Sequence, residues 1–151
     1  MASRVELEGF GLHGGRRARL EAWAAPGPLV LVAGGRAHPL AALRASGERR
    51  STELQGEGLA VRTVEHLFAA LAALALHEGV ALALTRGDEC PLLDGGARAY
   101  FNALCTLSLP PVAPHLTVEA DGEVRVGQSV YRFSAPARPT SRTRAPVEVD
   151  F

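Results

Sequence analysis

The segment Thr63-Val64-Glu65-His66 places a carboxylate beside an imidazole at the start of an apolar stretch typical of a helix. In the first turn of a helix, the positive end of the helix dipole favours the neutral imidazole that binds metals, and it stabilises a neighbouring carboxylate. His66 is therefore a candidate zinc ligand and Glu65 a candidate general base. The alternative is that Glu65 only complements the dipole and that His66 is a partly buried polar residue.

A single imidazole is too few for a catalytic zinc site, because such sites usually have three protein ligands. His77 follows His66 by eleven residues in the sequence, which is about 16 Å along a continuous helix. It therefore does not complete the site, and the remaining histidines are no better placed: His13, His38 and His115. We expect zinc binding by the isolated chain to be weak or absent.

Two glycine-containing segments flank this candidate site in the sequence. Gly9-Phe10-Gly11-Leu12-His13-Gly14-Gly15 predicts a tight turn in which His13 forms local hydrogen bonds. It is not a dinucleotide-binding fingerprint, because no βαβ unit surrounds it. Pro91-Leu92-Leu93-Asp94-Gly95-Gly96 predicts a turn between a strand and a helix, with Asp94 as the helix cap.

Taken in chain order, the glycine segment, the Thr63–Leu67 segment and Pro91–Gly95 resemble the UDP-3-O-acyl-N-acetylglucosamine deacetylase (LpxC) family of lipid A and lipopolysaccharide synthesis. The resemblance implies a zinc hydrolase that removes acetate from a UDP-acyl-glucosamine. It implies that Glu65 is the catalytic base and His66 a metal ligand. It also implies that a second histidine ligand, an aspartate ligand, a lysine and a histidine acid lie in a second domain, outside these 151 residues.

The first half of the chain is rich in strand signals. Polar and apolar residues alternate over Ala18–Trp23, and Leu29–Val32 follows a Pro-Gly-Pro turn, which predicts a hairpin. Ser51–Leu54 is either a short strand or an exposed loop. Val80–Leu84 predicts a buried strand.

Two helices are expected around the candidate site. The first spans Val64–His77, apolar on all sides and therefore buried, with Thr63 as its N-cap and Gly79 as its end. The second spans Ala97–Leu107, and its inward-facing residues are expected to be Tyr100, Phe101 and Leu104.

These elements predict an α+β fold, with a small, mostly antiparallel sheet packed against two helices like the first domain of the family, followed by a short β-meander. We expect domain boundaries at 1–110 and 116–151, joined by a proline-rich linker at 111–115. The second part is an incomplete β-rich unit, and its predicted strands are 116–119, 123–126, 130–133 and 147–151.

Composition excludes several classes of function. Formal net charge is zero and the sixteen basic residues, all arginine, are dispersed, so a nucleic-acid partner is not expected. Cys90 and Cys105 are too few for a disulfide framework and are expected to be small buried residues in a reducing compartment. No segment has the character of a signal peptide or a transmembrane helix. A cytoplasmic protein is predicted.

Two functional hypotheses remain open at this point. In the first, the chain is the amino-terminal portion of a zinc-dependent deacetylase that becomes active when a companion polypeptide carrying the second domain completes it. In the second, it is a non-catalytic binding, regulatory or dimerisation module derived from that family. Under both hypotheses we expect the isolated chain to be inactive.

Overall fold

A computed structural model describes residues 3–47, 51–108 and 120–135. The chain divides into two compact units, Met1–Ala113 and Pro114–Phe151. The predicted linker at 111–115 and the predicted strands at 116–119 and 147–151 lie outside the described residues. The elements of the first unit, in chain order, are β1 (Arg4–Phe10), β2 (Arg17–Pro28), β3 (Val30–Ala33), β4 (Arg36–Pro39), a 3-10 turn (Leu40–Ala42), β5 (Arg44–Ser46), β6 (Glu53–Gly56), β7 (Leu59–Arg62), α1 (Glu65–Ala73), β8 (Glu78–Arg86) and α2 (Arg98–Leu104).

Two sheets and two helices form the first unit, as predicted for an α+β fold. The larger sheet has the strand order β1-β2-β8-β3-β4, and all of its pairings are antiparallel except β3 with β8. The smaller sheet is an antiparallel β5-β6-β7 arrangement. Apolar side chains from both sheets and both helices share one core, which is formed around Leu20, Leu31, Val61, Leu67, Leu71, Val80, Leu82, Tyr100 and Leu104.

The predicted hairpin between Ala18–Trp23 and Leu29–Val32 is wrong, although both segments are strands. Strand β8 lies between β2 and β3, so that Leu82 pairs with Ala22 on one side and with Leu31 on the other. Its central residues are continuously buried. A strand buried on both faces is stable only inside a sheet, so β8 takes the centre and separates two strands that are adjacent in sequence.

Helix α1 is shorter than predicted, and neither predicted cap is correct. Thr63 lies one residue before the N-cap position, which is Val64, and no side chain caps the helix. At the other end, Ala75 adopts a left-handed conformation (φ 53°), and the amides of Ala75 and Leu76 donate to the carbonyls of Ala72 and Leu71. This is a Schellman ending. The helix therefore stops before Gly79, which lies in β8.

The helix faces also differ from the prediction. In α1, Leu67, Ala70 and Leu71 are buried, whereas Ala69 and Ala72 are exposed, so the helix is not buried on all sides. Alanine has little apolar surface, and leaving it in water costs little.

Helix α2 begins and ends within the predicted range. Asp94 does not cap it, because its side chain accepts from the amide of Gly96 within the preceding turn (3.2 Å). Tyr100 and Leu104 point inward as expected, whereas Phe101 is 36% exposed and does not. Cys105 is also exposed, against the prediction, because it follows the last buried turn of the helix.

The described part of the second unit is one hairpin. Strands β9 (Gly122–Val126) and β10 (Ser129–Phe133) pair antiparallel and coincide with two of the predicted strands. Among the described residues, no helix is long and apolar enough to cross a bilayer.

Candidate functional site

The candidate site is built where β7 ends and α1 begins. Thr63 adopts a left-handed conformation (φ 57°) that turns the chain from the strand into the helix. Glu65 is the first helical residue and is exposed, and His66 is the second and is half-buried. The two residues singled out from the sequence therefore lie together in the first turn of α1.

Glu65 has a partner that the sequence did not indicate. The backbone N–H of Thr52 donates a hydrogen bond to Oε1 of the Glu65 carboxylate. Thr52 directly precedes β6, so the smaller sheet delivers this donor to the head of α1. The contact orients the carboxylate through Oε1.

A short segment after β8, residues 88–90, binds the backbone that leads into α1. Arg62, the last residue of β7, forms a parallel bridge with Glu89. Its amide donates to the carbonyl of Asp88 (3.0 Å), and its carbonyl accepts from the amide of Cys90 (2.9 Å). The backbone is therefore held immediately before Thr63, the residue that sets the direction of α1.

Glu89 is a buried carboxylate, 2% exposed, that the sequence analysis did not single out. Its Oε2 accepts from the amides of His13 (3.2 Å) and Gly14 (3.0 Å). Its Oε1 lies 3.7 Å from a guanidinium nitrogen of Arg62, which is an ion-pair distance but too long for a hydrogen bond. Residues 11–15 of the glycine segment therefore form a turn that closes over Glu89, whereas Gly9 and Phe10 of the predicted turn belong to β1.

The close packing of this turn against Glu89 explains why residue 11 is a glycine. A Cβ added to Gly11 would lie 2.1 Å from Oε2 of Glu89, so no larger residue fits without displacing the carboxylate. The amide of Gly15 donates to the carbonyl of Gly11 (3.1 Å) and completes the turn. His13 takes part through its backbone, not through a local hydrogen bond of its ring, and its side chain is exposed.

Cys90 lies next to Glu89 and is buried. Burial, together with the negative carboxylates of Glu65 and Glu89, raises the pKa of its thiol to about 12. Because the thiolate is the form that binds metals, Cys90 is poorly suited to be a ligand.

The residues present fit only part of a zinc site. Within residues 3–47, 51–108 and 120–135, no group of three or more His, Cys, Asp or Glu side chains is placed to hold a metal ion. His38 is buried in β4, His77 is exposed beyond α1, and His115 lies outside the described residues. His66 can contribute one nitrogen ligand, and Glu65 one carboxylate beside it.

Comparison with known proteins gives a consistent result. The sequence model of the LpxC family, described as UDP-3-O-acyl N-acetylglycosamine deacetylase, matches residues 1–151. Relatives named UDP-3-O-acyl-N-acetylglucosamine deacetylase include one from Thermosynechococcus vestitus, 36% identical over 93 residues, which are 61% of this chain and 32% of the relative. Another, from Nostoc, is 36% identical over 104 residues, 67% of this chain and 36% of the relative. A third, from Shewanella sp. strain ANA-3, is 35% identical over 104 residues, 64% of this chain and 33% of the relative. The matches thus span about a third of the length of these relatives.

Proposed function

The chain belongs to the UDP-3-O-acyl N-acetylglycosamine deacetylase family, and from this premise we propose that it supplies the Glu65–His66 part of a zinc-dependent deacetylase centre. The substrate is a UDP-3-O-acyl-N-acetylglucosamine, as the names of the relatives indicate for those proteins. The observation that carries the proposal is the juxtaposition of a half-buried imidazole and an oriented carboxylate in the first turn of α1.

Each residue has a distinct role in this proposal. His66 would hold zinc, which when bound supplies a Lewis acid that polarises the amide carbonyl and acidifies water. Glu65 takes the proton of the attacking water at Oε2, while the amide of Thr52 holds Oε1. Thr52 therefore orients the base and does not itself react.

The number of ligands limits what these residues do by themselves. One imidazole is a weak, unselective metal site, and a catalytic zinc usually has three protein ligands. We propose that the other two, a histidine and an aspartate by family resemblance, come from outside residues 1–151, in a longer chain or in a companion polypeptide. The 151 residues alone are then inactive and hold zinc weakly. The predicted cytoplasmic location remains part of this proposal.

A chimera tests the assignment. The residues of the Nostoc relative that match this chain are replaced by the corresponding residues of this chain, and acetate release from UDP-3-O-acyl-N-acetylglucosamine is measured. Glu65→Gln should lower kcat by about 10²- to 10⁴-fold with the zinc content unchanged. His66→Gln should lower the zinc content itself. Glu57→Gln is the matched control, since Glu57 pairs with Arg36 on an exposed surface. An active chimera whose kcat survives Glu65→Gln would contradict the roles proposed here.

A second candidate function is a dimerisation module, and one observation favours it. The β9–β10 hairpin has an exposed apolar face formed by Val124, Tyr131 and Phe133, while Glu123, Arg125 and Arg132 form ion pairs on the other face. An exposed apolar sheet face favours association.

Sedimentation over a range of concentrations tests this second candidate. A Val124→Thr, Tyr131→Ser double variant should reduce self-association, whereas Arg125→Gln on the charged face should not. Identical sedimentation of the double variant and the unmodified chain would exclude the hairpin as the dimerisation surface.

A further inference from the structure

Three segments meet at the buried carboxylate of Glu89: the glycine turn, the end of β7 and the segment after β8. We infer that Glu89 is a positioning residue, which fixes the backbone leading into Glu65 and His66. The inference rests on the proposed function for its catalytic meaning. Its structural content stands on the described contacts alone.

Arg62 connects the segment after β8 to the start of α1. Only Thr63 and Val64 separate Arg62 from Glu65. Arg62 is held to the segment after β8 through its backbone on both sides, through an ion pair with Asp88 (2.6 Å) and through the longer approach to Glu89 (3.7 Å). A displacement of Glu89 would therefore shift Arg62, and only Thr63 and Val64 separate Arg62 from the first residue of α1.

Thr63 joins β7 to α1 in a left-handed conformation. A β-branched residue is disfavoured in the left-handed conformation, and such a conformation persists only where its surroundings hold it. Thr63 is buried, and its hydroxyl oxygen has no hydrogen-bond partner among the described residues. Its own side chain therefore does not hold this conformation in place. The flanking structure must do so, with Arg62 held on one side and the buried Leu67 of α1 on the other.

The carboxylate of Glu89 is buried. A buried carboxylate is costly unless donors surround it. Here two amides and one guanidinium face it, and the guanidinium belongs to Arg62. Glutamine would keep an acceptor for the two amides but would lose the attraction to Arg62. Alanine would lose both, and Gly11→Ala would displace the carboxylate while leaving its charge intact.

Nuclear magnetic resonance of the ¹⁵N-labelled 151-residue chain tests the inference without any requirement for activity. In Glu89→Ala, the amides of His13 and Gly14 should exchange with solvent about tenfold faster or more, since each loses a charged acceptor. The imidazole resonances of His66 should shift as well, with the exposed His77 as the internal reference. Gly11→Ala should shift His66 in the same way, and Glu89→Gln should produce a smaller shift. Glu57→Gln should produce none.

The possible outcomes separate the alternatives. If His13 and Gly14 exchange faster while the His66 resonances stay unchanged, Glu89 only anchors the turn and the inference is wrong. If Glu89→Ala does not fold, Gly11→Ala and Glu89→Gln decide by the same His66 resonances. An unshifted His66 in every folded variant overturns the inference.

The active chimera separates this inference from the proposed function. There, Glu89→Gln should lower kcat at least about threefold with KM and zinc content little changed, because positioning affects the reacting geometry. An active chimera whose kcat survives Glu65→Gln, together with shifted His66 resonances in Glu89→Ala, would refute the proposed function and leave the positioning role intact. An active chimera in which Glu89→Gln leaves kcat unchanged would refute the positioning role and leave the proposed function intact.

Discussion

The buried thiol of Cys90 makes the protein sensitive to alkaline pH in a defined way. In the folded state, burial and, to a smaller extent, the carboxylates of Glu65 and Glu89 raise the pKa of this thiol from 9.0 to about 12. Below pH 9 the thiol is protonated in both the folded and the unfolded state, so its contribution to stability is fully present. Between pH 9 and 12 the unfolded state loses a proton that the folded state retains, and stability falls.

The magnitude follows from the size of the shift. Each pH unit above 9 lowers the free energy of unfolding by about 1.4 kcal/mol. By pH 11 this one group has therefore lowered it by on the order of 2–3 kcal/mol. That is a large part of the stability of a domain of ordinary size, about 5–15 kcal/mol. Tyr100 acts in the same direction, because burial raises its pKa too.

Urea unfolding at pH 8, 9, 10 and 11 measures the effect. The free energy of unfolding of the unmodified chain should fall more steeply with pH than that of Cys90→Ala, and the difference isolates Cys90 from Tyr100. Cys105→Ala is the matched control, since Cys105 is exposed. Parallel curves for the unmodified chain and Cys90→Ala would refute the assignment of a raised pKa to this thiol.

Three further predictions concern the stability of the first unit. Ala75→Gly should raise the free energy of unfolding by about 1 kcal/mol, because glycine adopts the left-handed conformation of residue 75 without strain. Its control, Ala72→Gly within α1, should lower the free energy of unfolding by about the same amount. A loss of stability in Ala75→Gly would contradict this ending of the helix. Tyr100→Phe should lower the free energy of unfolding by about 1–2 kcal/mol, because the hydroxyl donates to the carbonyl of Pro91 in a buried place; an unchanged unfolding curve would rule out a stabilising bond there. Leu71→Ala should lower the free energy of unfolding by about 2–5 kcal/mol, whereas Ala69→Ser on the exposed face of α1 should change it little. Equal effects of the two substitutions would contradict the burial of Leu71.

Local patterns predicted β2, β3, β8, both helices and the β9–β10 hairpin, but they did not predict β1, β4, β5 or β7. Alternation identified β2, and the apolar run identified β8, because side-chain periodicity directly reflects which faces are buried. The order of the strands in the sheet was not predictable in this way. The insertion of β8 between β2 and β3 depends on which strand is buried on both faces, and that is a property of the whole sheet.

The end of α1 was predicted less well, because packing against the core decides where it lies. Gly79 carried the expected signal for a helix end, yet the chain adopts the left-handed turn four residues earlier at Ala75. Placing Leu76 against the core favours that earlier ending. Packing thus outweighed the conformational preference of glycine.

The candidate site was only partly visible in the sequence. Glu65 and His66 are adjacent, and their chemistry can be read from one segment. Thr52 lies 13 positions before Glu65, and Glu89 lies 27 positions after Arg62. Only the folding of the chain brings them to the site. The one sequence signal for Glu89 was an acidic residue directly before an apolar, proline-containing segment, which by itself does not distinguish a buried carboxylate from a solvated one.

The number of metal ligands within these 151 residues is open to a simple measurement. The purified chain is loaded with zinc, dialysed against a chelator and analysed for metal, with His66→Gln as the comparison. We expect far less than one zinc per chain in both proteins, since a single imidazole does not retain the ion. About one zinc per unmodified chain, retained against the chelator, would contradict the conclusion that the remaining ligands come from elsewhere.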